Sequence, residues 1–277
     1  MLTSFGPDST IYAGGTELLI VMKERLAHFP HLIDIKRIPG PRGIAFAAER
    51  AELHIGALST HRDIECSPLV RQHVPALAAL AADVANVRVR SAGTIGGNLC
   101  FADPHSDPAT LLAALDARFT LVSATTSREV SAGSFISGLM ETLRRHDELL
   151  VTITIPRPAA NAGIAYERFK LHERPTAAAA AVVTVENGRI HAARLVVGSV
   201  SDRPQRLAAA ESALVGQLAN EAAALAVAET IRSEVDTVGD AFESESYKRQ
   251  LTRTVAVRAI GSAIRRATDR ERSHHAA

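Results

Sequence analysis

The sequence predicts an α+β chain built of two domains. Three observations carry that expectation. Strand-like and helix-like segments are mixed through the first half of the chain, a break rich in proline and glycine follows at "PRPAANAG" (156–163), and beyond it come a hairpin signal and then helices. At 277 residues the chain can bury two cores rather than one.

The elements follow in order. "TIYAG" (10–14) reads as a strand, and Leu18, Leu19, Val21 and Met22 then fall at helical spacing. "HLIDI" (31–35) is a second strand, "IPGPRG" (38–43) a turn-rich break and "ELHIGAL" (52–58) a third strand. "STHRDIE" opens a helix with Ser59 or Thr60 as its cap. From Pro68 to about Val84 the pattern is helical and rich in Ala and Leu, and "TIGGN" (94–98) punctuates it. "DPATLLAAL" (107–115) is a short helix with Pro108 in its first turn. "RFTLVSA" (118–124) and "ELLVTITI" (148–155) are strands. Past the break, "YERFKLH" and the Ala run 177–181 read as strand, and Asn187-Gly188 joins two strands as a hairpin turn. Three helical stretches close the chain, the last at roughly 245–267 with Tyr247, Leu251, Val255, Ile260 and Ile264 on one side.

Composition excludes several classes of function. The net charge of +1 gives no electrostatic case for nucleic acid or an acidic membrane, and the absence of Trp argues against base stacking. Cys66 and Cys100 alone cannot build a disulfide framework, a four-cysteine zinc site or a cysteine-ligated iron–sulfur cluster, and they suit a reducing cytoplasm. No apolar run approaches the ~20 residues of a membrane span, and no signal peptide is expected. His28, His31, His54, His61, His73 and His105 are dispersed and make no compact metal pattern, so they read as surface or core histidines. "IRRATDRER" (264–272) reads as a solvated helix end.

Two glycine clusters remain. In "AGGTELL" and "GTIGGN" bare backbone precedes helix-like sequence, where it can aim N–H groups at an anion. Neither cluster is a P-loop or a G-x-G-x-x-G fingerprint, and a lone glycine pair is ordinarily a tight turn. Two such loops could hold the two halves of a pyrophosphate.

At this point "YAGGTELL", "HLIDIKRIPGPRGI", "LHIGALSTHRDIECSPLV", "GTIGGNLCFADPHSDPATLLAAL", "ELLVTITIP" and "LVVGSVSDRPQRL" together resemble the FAD-binding medium subunit of molybdenum hydroxylases. That family includes the carbon monoxide dehydrogenase medium subunit and the flavin domain of xanthine dehydrogenase. The resemblance runs through nearly the whole chain, in the family's order and spacing. It implies a PCMH-type, vanillyl-alcohol-oxidase-like FAD-binding domain over 1–158, with subdomains of about 1–51 and 52–158, and a small C-terminal α+β domain over 159–277.

It also implies a site. Main-chain N–H groups of Ala13, Gly14, Gly15, Thr16 and Glu17, with Leu18 beside them, would carry the pyrophosphate, met from the other side by Thr94, Ile95, Gly96, Gly97 and Asn98. Asp107 falls at an acidic cofactor contact, though a helix N-cap explains it as well. Leu150 matches an apolar flavin contact or plain core, and Lys170 matches a lysine near the flavin or a solvent-facing strand residue. Cys100 reads as a buried, inert thiol. Only twelve residues precede Ala13, where the family carries a strand and a helix; "LTSFGPDSTIYAGG" reads like the end of that helix and a loop. The branch of the family with an extra [4Fe–4S] insertion is excluded by the cysteine count.

The function implied is an electron-transfer flavoprotein, with no side-chain acid, base or nucleophile named as catalytic and no metal in this chain. Molybdopterin would sit in a large partner subunit and [2Fe–2S] clusters in a small one, expected as a dimer of heterotrimers. FAD would pass electrons to NAD⁺, a quinone or O₂. Two rivals stay open: a stand-alone FAD-dependent oxidase or reductase, and a scaffold that has lost FAD.

Overall fold

The computed structural model describes residues 1–170 and 174–275, with side chains to residue 273. Leu171 and His172 of the "YERFKLH" stretch lie outside the described residues. The chain forms two compact units, one of Met1–Asp103 with Asp116–Arg157, the other of Pro104–Leu115 with Pro158–Ala277.

The first unit begins with a short helix, Leu2–Phe5, and a 3-10 turn, Gly6–Asp8, and continues with a parallel pair, Ser9–Tyr12 against His31–Asp34, joined through the first glycine loop and the helix Leu18–Lys23. Its main sheet is antiparallel, in the order Ile44–Ala47, Glu52–Gly56, Leu149–Pro156, Arg118–Val122, Ser127–Ser131. Alternation sets the buried side chains: Leu53 with Ile55, Phe119 with Leu121, and Ile153 with Ile155 are all at most 1% exposed. Phe119 meets Phe135 edge to face at 5.0 Å.

Short helices fill the sequence between these strands. His61–Cys66 begins with a capping box: Thr60 Oγ1 accepts from the Asp63 N–H, and the Asp63 carboxylate accepts from the Thr60 N–H. The run from Pro68 is two helices, Pro68–His73 and Pro75–Ala82, because Val74 precedes a proline and is held out of the helical region at φ −141°, ψ 65°. The two edge strands, Ile44–Ala47 and Ser127–Ser131, carry no strong sequence pattern; half-exposed edges need none.

One buried ion pair anchors this unit. The Glu148 carboxylate, 1% exposed, accepts from Arg128 through Nε at 2.6 Å and Nη2 at 2.8 Å, and from the Arg145 N–H at 2.7 Å. The hydrogen bonds from Arg128 hold its pKa down at about 2. A carboxyl depressed in the folded state stabilises the fold above its unfolded pKa and loses that contribution as pH falls toward the folded value. Acid titration of stability should therefore show a loss on the order of 1–2 kcal/mol between about pH 4.5 and about pH 2, less than the full shift because Arg128 is partly solvated. Glu148→Gln should flatten that limb in urea melts taken across the range. A variant with an unchanged acid limb would place the titration elsewhere.

The second unit is a four-stranded antiparallel sheet, Ala162–Lys170, Pro175–Glu186, Arg189–Gly198 and Gln205–Arg206. Asn187 and Gly188 both take positive φ, 52° and 71°, as a two-residue hairpin turn requires. The Ala run is buried on both faces. Ala177, Ala179 and Ala181 join a core with Val255, Ala256, Ala259, Ile260, Ala263 and Ile264 of the helix Glu245–His275. Gly163 lies so close to that helix that a side chain would strike the Ala263 and Ala267 main chain. On Gly198 a side chain would instead strike Thr110 of the helix Asp107–Ala114. That helix packs on the middle strands of the second sheet, so residues 104–115 group with the C-terminal unit although their sequence lies far from it.

Candidate cofactor site

In the first unit a cavity of about 230 Å³ opens beside the first glycine loop. Its wall takes Ala13, Gly14, Gly15, Thr16, Glu17 and Leu18 from that loop, and Thr94, Gly96, Gly97 and Asn98 from the second. Leu149 and Leu150, at the start of the strand Leu149–Pro156, add apolar wall. The structure thus gathers most of the sequence-derived residues around one space. Ile95 is not among the lining; its side chain is 1% exposed and packs as core.

The glycines have a purpose that the sequence did not show. A Cβ on Gly14 would run into the Ala92 carbonyl and come 2.8 Å from the Gly93 Cα. One on Gly93 would stand 3.1 Å from Thr16 Oγ1. The two loops therefore touch main chain to main chain, and bareness lets them do so. Gly15 adds a backbone reason, a φ of +72°. Gly96 is bare because it presses on Ala57.

The donors of the two loops differ. In the second, Thr94 caps the helix Ile95–Phe101, with its Oγ1 accepting from the Gly97 N–H at 3.1 Å. The Ile95 N–H donates to Ser59 O, the Gly96 N–H to Ala57 O and the Asn98 N–H to Thr94 O, at 2.9–3.0 Å. "TIGGN" is thus a capped helix start rather than a turn, and its main-chain donors are already engaged. In the first loop, the N–H groups of Gly14, Gly15 and Thr16 donate to no acceptor among the described residues. They are the donors left for an anion.

Three further side chains line the cavity without a local sequence pattern that marks them as site residues. His61 is 3% exposed, and burial with the nearby Arg90 charge lowers its pKa to about 4, so it is neutral at pH 7. Burial pushes the Cys100 thiol up to about 11, against the pull of Arg144, which keeps it protonated at neutral pH. Arg144, from the segment after the short strand Glu141–Thr142, had no signal in the sequence; folding alone brings it to the wall.

Asp107 and Lys170 belong to the second unit. Ser106, not Asp107, occupies the N-cap of the helix. The Asp107 carboxylate accepts from the Tyr166 hydroxyl and from the Arg168 guanidinium, with Asp107 8% exposed. Burial raises its pKa, opposed by Arg168, Tyr166 and Lys170. Lys170 ends the strand Ala162–Lys170 and is exposed.

A comparison with protein-family models matches residues 1–158 to the FAD binding domain in molybdopterin dehydrogenase, and residues 167–263 to the CO dehydrogenase flavoprotein C-terminal domain. The chain belongs to this flavoprotein family. Among curated relatives of the family, the carbon monoxide dehydrogenase medium chain of Hydrogenophaga pseudoflava is 32% identical, over 95% of this chain and 92% of that one. A putative xanthine dehydrogenase FAD-binding subunit of Escherichia coli is 28% identical over 95% and 91%. Among solved structures, a chain of carbon monoxide dehydrogenase from Hydrogenophaga pseudoflava superposes with a TM-score of 0.92 at 34% identity, covering 96% of this chain and 92% of that one. A chain of quinoline 2-oxidoreductase from Pseudomonas putida 86 gives 0.90 at 30%, covering 96% and 92%. The α+β fold expected from the resemblance, an FAD-binding domain followed by a C-terminal domain, is the fold of this family, whose members are subunits of oxidoreductases. No helix among the described residues is long and apolar enough to cross a membrane.

Proposed function

We propose that this chain is the FAD-carrying electron-transfer subunit of a molybdenum hydroxylase. In that assignment a large molybdopterin subunit hydroxylates the substrate, a small subunit relays electrons through [2Fe–2S] clusters, and an external acceptor takes them from this chain. The observation that carries the proposal is the cluster of unengaged N–H groups at Gly14, Gly15 and Thr16 on the wall of the cavity. They fit the phosphates of a dinucleotide: neutral main-chain donors on adjacent residues, two of which carry no side chain of their own.

The residues divide the work. Gly14, Gly15 and Thr16 would bind phosphate oxygens, and Ala13, Glu17 and Leu18 continue that wall. Thr94, Gly96, Gly97 and Asn98 would shape the opposite wall, held in place by the Thr94 cap and the Gly96–Ala57 bond. Leu149 and Leu150 would cover the ring and exclude water. His61, uncharged at neutral pH, adds no charge to the phosphate end. FAD bound here supplies the redox chemistry of the subunit. Leu19, Ile20 and Leu26 stand 45%, 55% and 78% exposed, as on a chain made to meet partner subunits. A dimer of heterotrimers is the assembly we assign.

The purified chain should be yellow and release about one FAD per polypeptide on denaturation, counted by chromatography against a standard. A folded, colourless chain that takes up no added FAD would sink the assignment and favour a scaffold. Turnover of a substrate by the chain alone would favour a stand-alone flavoenzyme instead.

A further inference from the structure

Arg144 is the one Lys or Arg side chain among the described residues that line the cavity. Its Nη1 donates to three main-chain carbonyls, Glu148 O at 2.9 Å, Arg145 O at 3.0 Å and His146 O at 3.4 Å. No carboxylate among the described residues comes within ion-pair reach of it. The adjacent Glu148 carboxylate is engaged by Arg128 and the Arg145 N–H. The cavity's own carboxylate, Glu17, belongs to the first glycine loop. A fixed positive charge without a formal counter-charge therefore faces a space with apolar wall.

The second glycine loop is tied through Ala57 to the strand Leu149–Pro156. Gly96 is bonded to Ala57 O, and the Ala57 N–H to Val151 O. Glu148, whose carbonyl oxygen accepts from Arg144 Nη1, immediately precedes that strand. Arg144 lines the cavity with Leu149 and Leu150 and with Cys100 in the last turn of the helix Ile95–Phe101, whose thiol feels the guanidinium charge. In the assignment above Leu149 and Leu150 cover the ring, and Arg144 lines the same cavity.

We propose that Arg144 sets the reduction potential of the bound flavin, its guanidinium favouring the electron-rich reduced ring. The inference rests on the FAD assignment above. Two electrons and one proton convert the neutral ring into a reduced monoanion at neutral pH, and a nearby cation favours the side that carries the negative charge. In the assay, dithionite supplies the electrons and water the proton. The three carbonyls fix the guanidinium in place, so little reorganisation accompanies the change.

The test is an equilibrium redox titration of the full chain loaded with FAD, against a reference dye, for wild type, Arg144→Gln and Arg144→Lys. Arg144→Gln should shift the two-electron equilibrium about tenfold toward the oxidised flavin, a potential about 30 mV lower. Arg144→Lys keeps the charge and should stay near wild type. Arg144→Met is the second neutral variant, used if the glutamine form does not fold. An unchanged potential in a neutral variant overturns the proposal. So does an equal fall in the lysine variant, which would assign the effect to loop geometry. Failure of the wild type to bind FAD is a different result: it removes the functional assignment itself, and this inference with it.

Discussion

Asp107→Ala should cost the second unit about 3–5 kcal/mol, the usual consequence of breaking one side of a buried charge pair. The substitution would take the Asp107 carboxylate from the Arg168 guanidinium, whose side chain is 9% exposed, and would strip the Tyr166 hydroxyl of that acceptor. Both partners sit on the strand Ala162–Lys170, so the damage falls where the helix Asp107–Ala114 joins the second unit's sheet. Urea unfolding followed by circular dichroism measures it; the chain has no Trp to report by fluorescence. Asp107→Asn keeps an acceptor for Tyr166 and should lose less. A loss below about 1 kcal/mol for the alanine variant would mean that other groups or water satisfy the Arg168 guanidinium.

Gly96→Ala should cost about 1–3 kcal/mol and weaken FAD binding tenfold or more. In an open helix the same change would gain about 1 kcal/mol of propensity. Here the new Cβ would stand 2.6 Å from the Ala57 Cβ and 2.8 Å from the Ala57 carbonyl oxygen, and main chain cannot step aside as a flexible side chain can. The helix Ile95–Phe101 would have to shift, carrying the cavity wall with it. Gly133→Ala is the control: its Cβ would meet nothing nearer than 4.0 Å, and it should be neutral or stabilising by up to about 1 kcal/mol. Equal FAD affinity in Gly96→Ala and wild type would show that this wall does not touch the cofactor.

Much of the site was legible in the residues. The glycine pairs, Thr94 and Leu150 announce themselves through backbone demands, capping and strand pattern, and these are local. Arg144 and His61 were not legible. Each reaches the cavity because elements distant in sequence fold together, and neither sits in a local pattern that separates it from a surface arginine or a core histidine. Asp107 shows the limit most sharply. Its sequence context offered an N-cap or a cofactor contact, whereas its described partners are Tyr166 and Arg168, about sixty residues away.

By itself the sequence determined the strands Glu52–Gly56, Arg118–Val122 and Leu149–Pro156, the Asn187-Gly188 hairpin, the capped helix at His61 and the place of the first glycine loop. Alternation, turn chemistry and capping act over a few residues, so they can be read without a fold. Only the tertiary structure decided that residues 104–115 pack with the C-terminal unit, that the glycine loops are bare so as to touch one another, and which donors are left free. Those outcomes depend on which main chain lies opposite, and close packing across long sequence separations leaves no local periodicity to read.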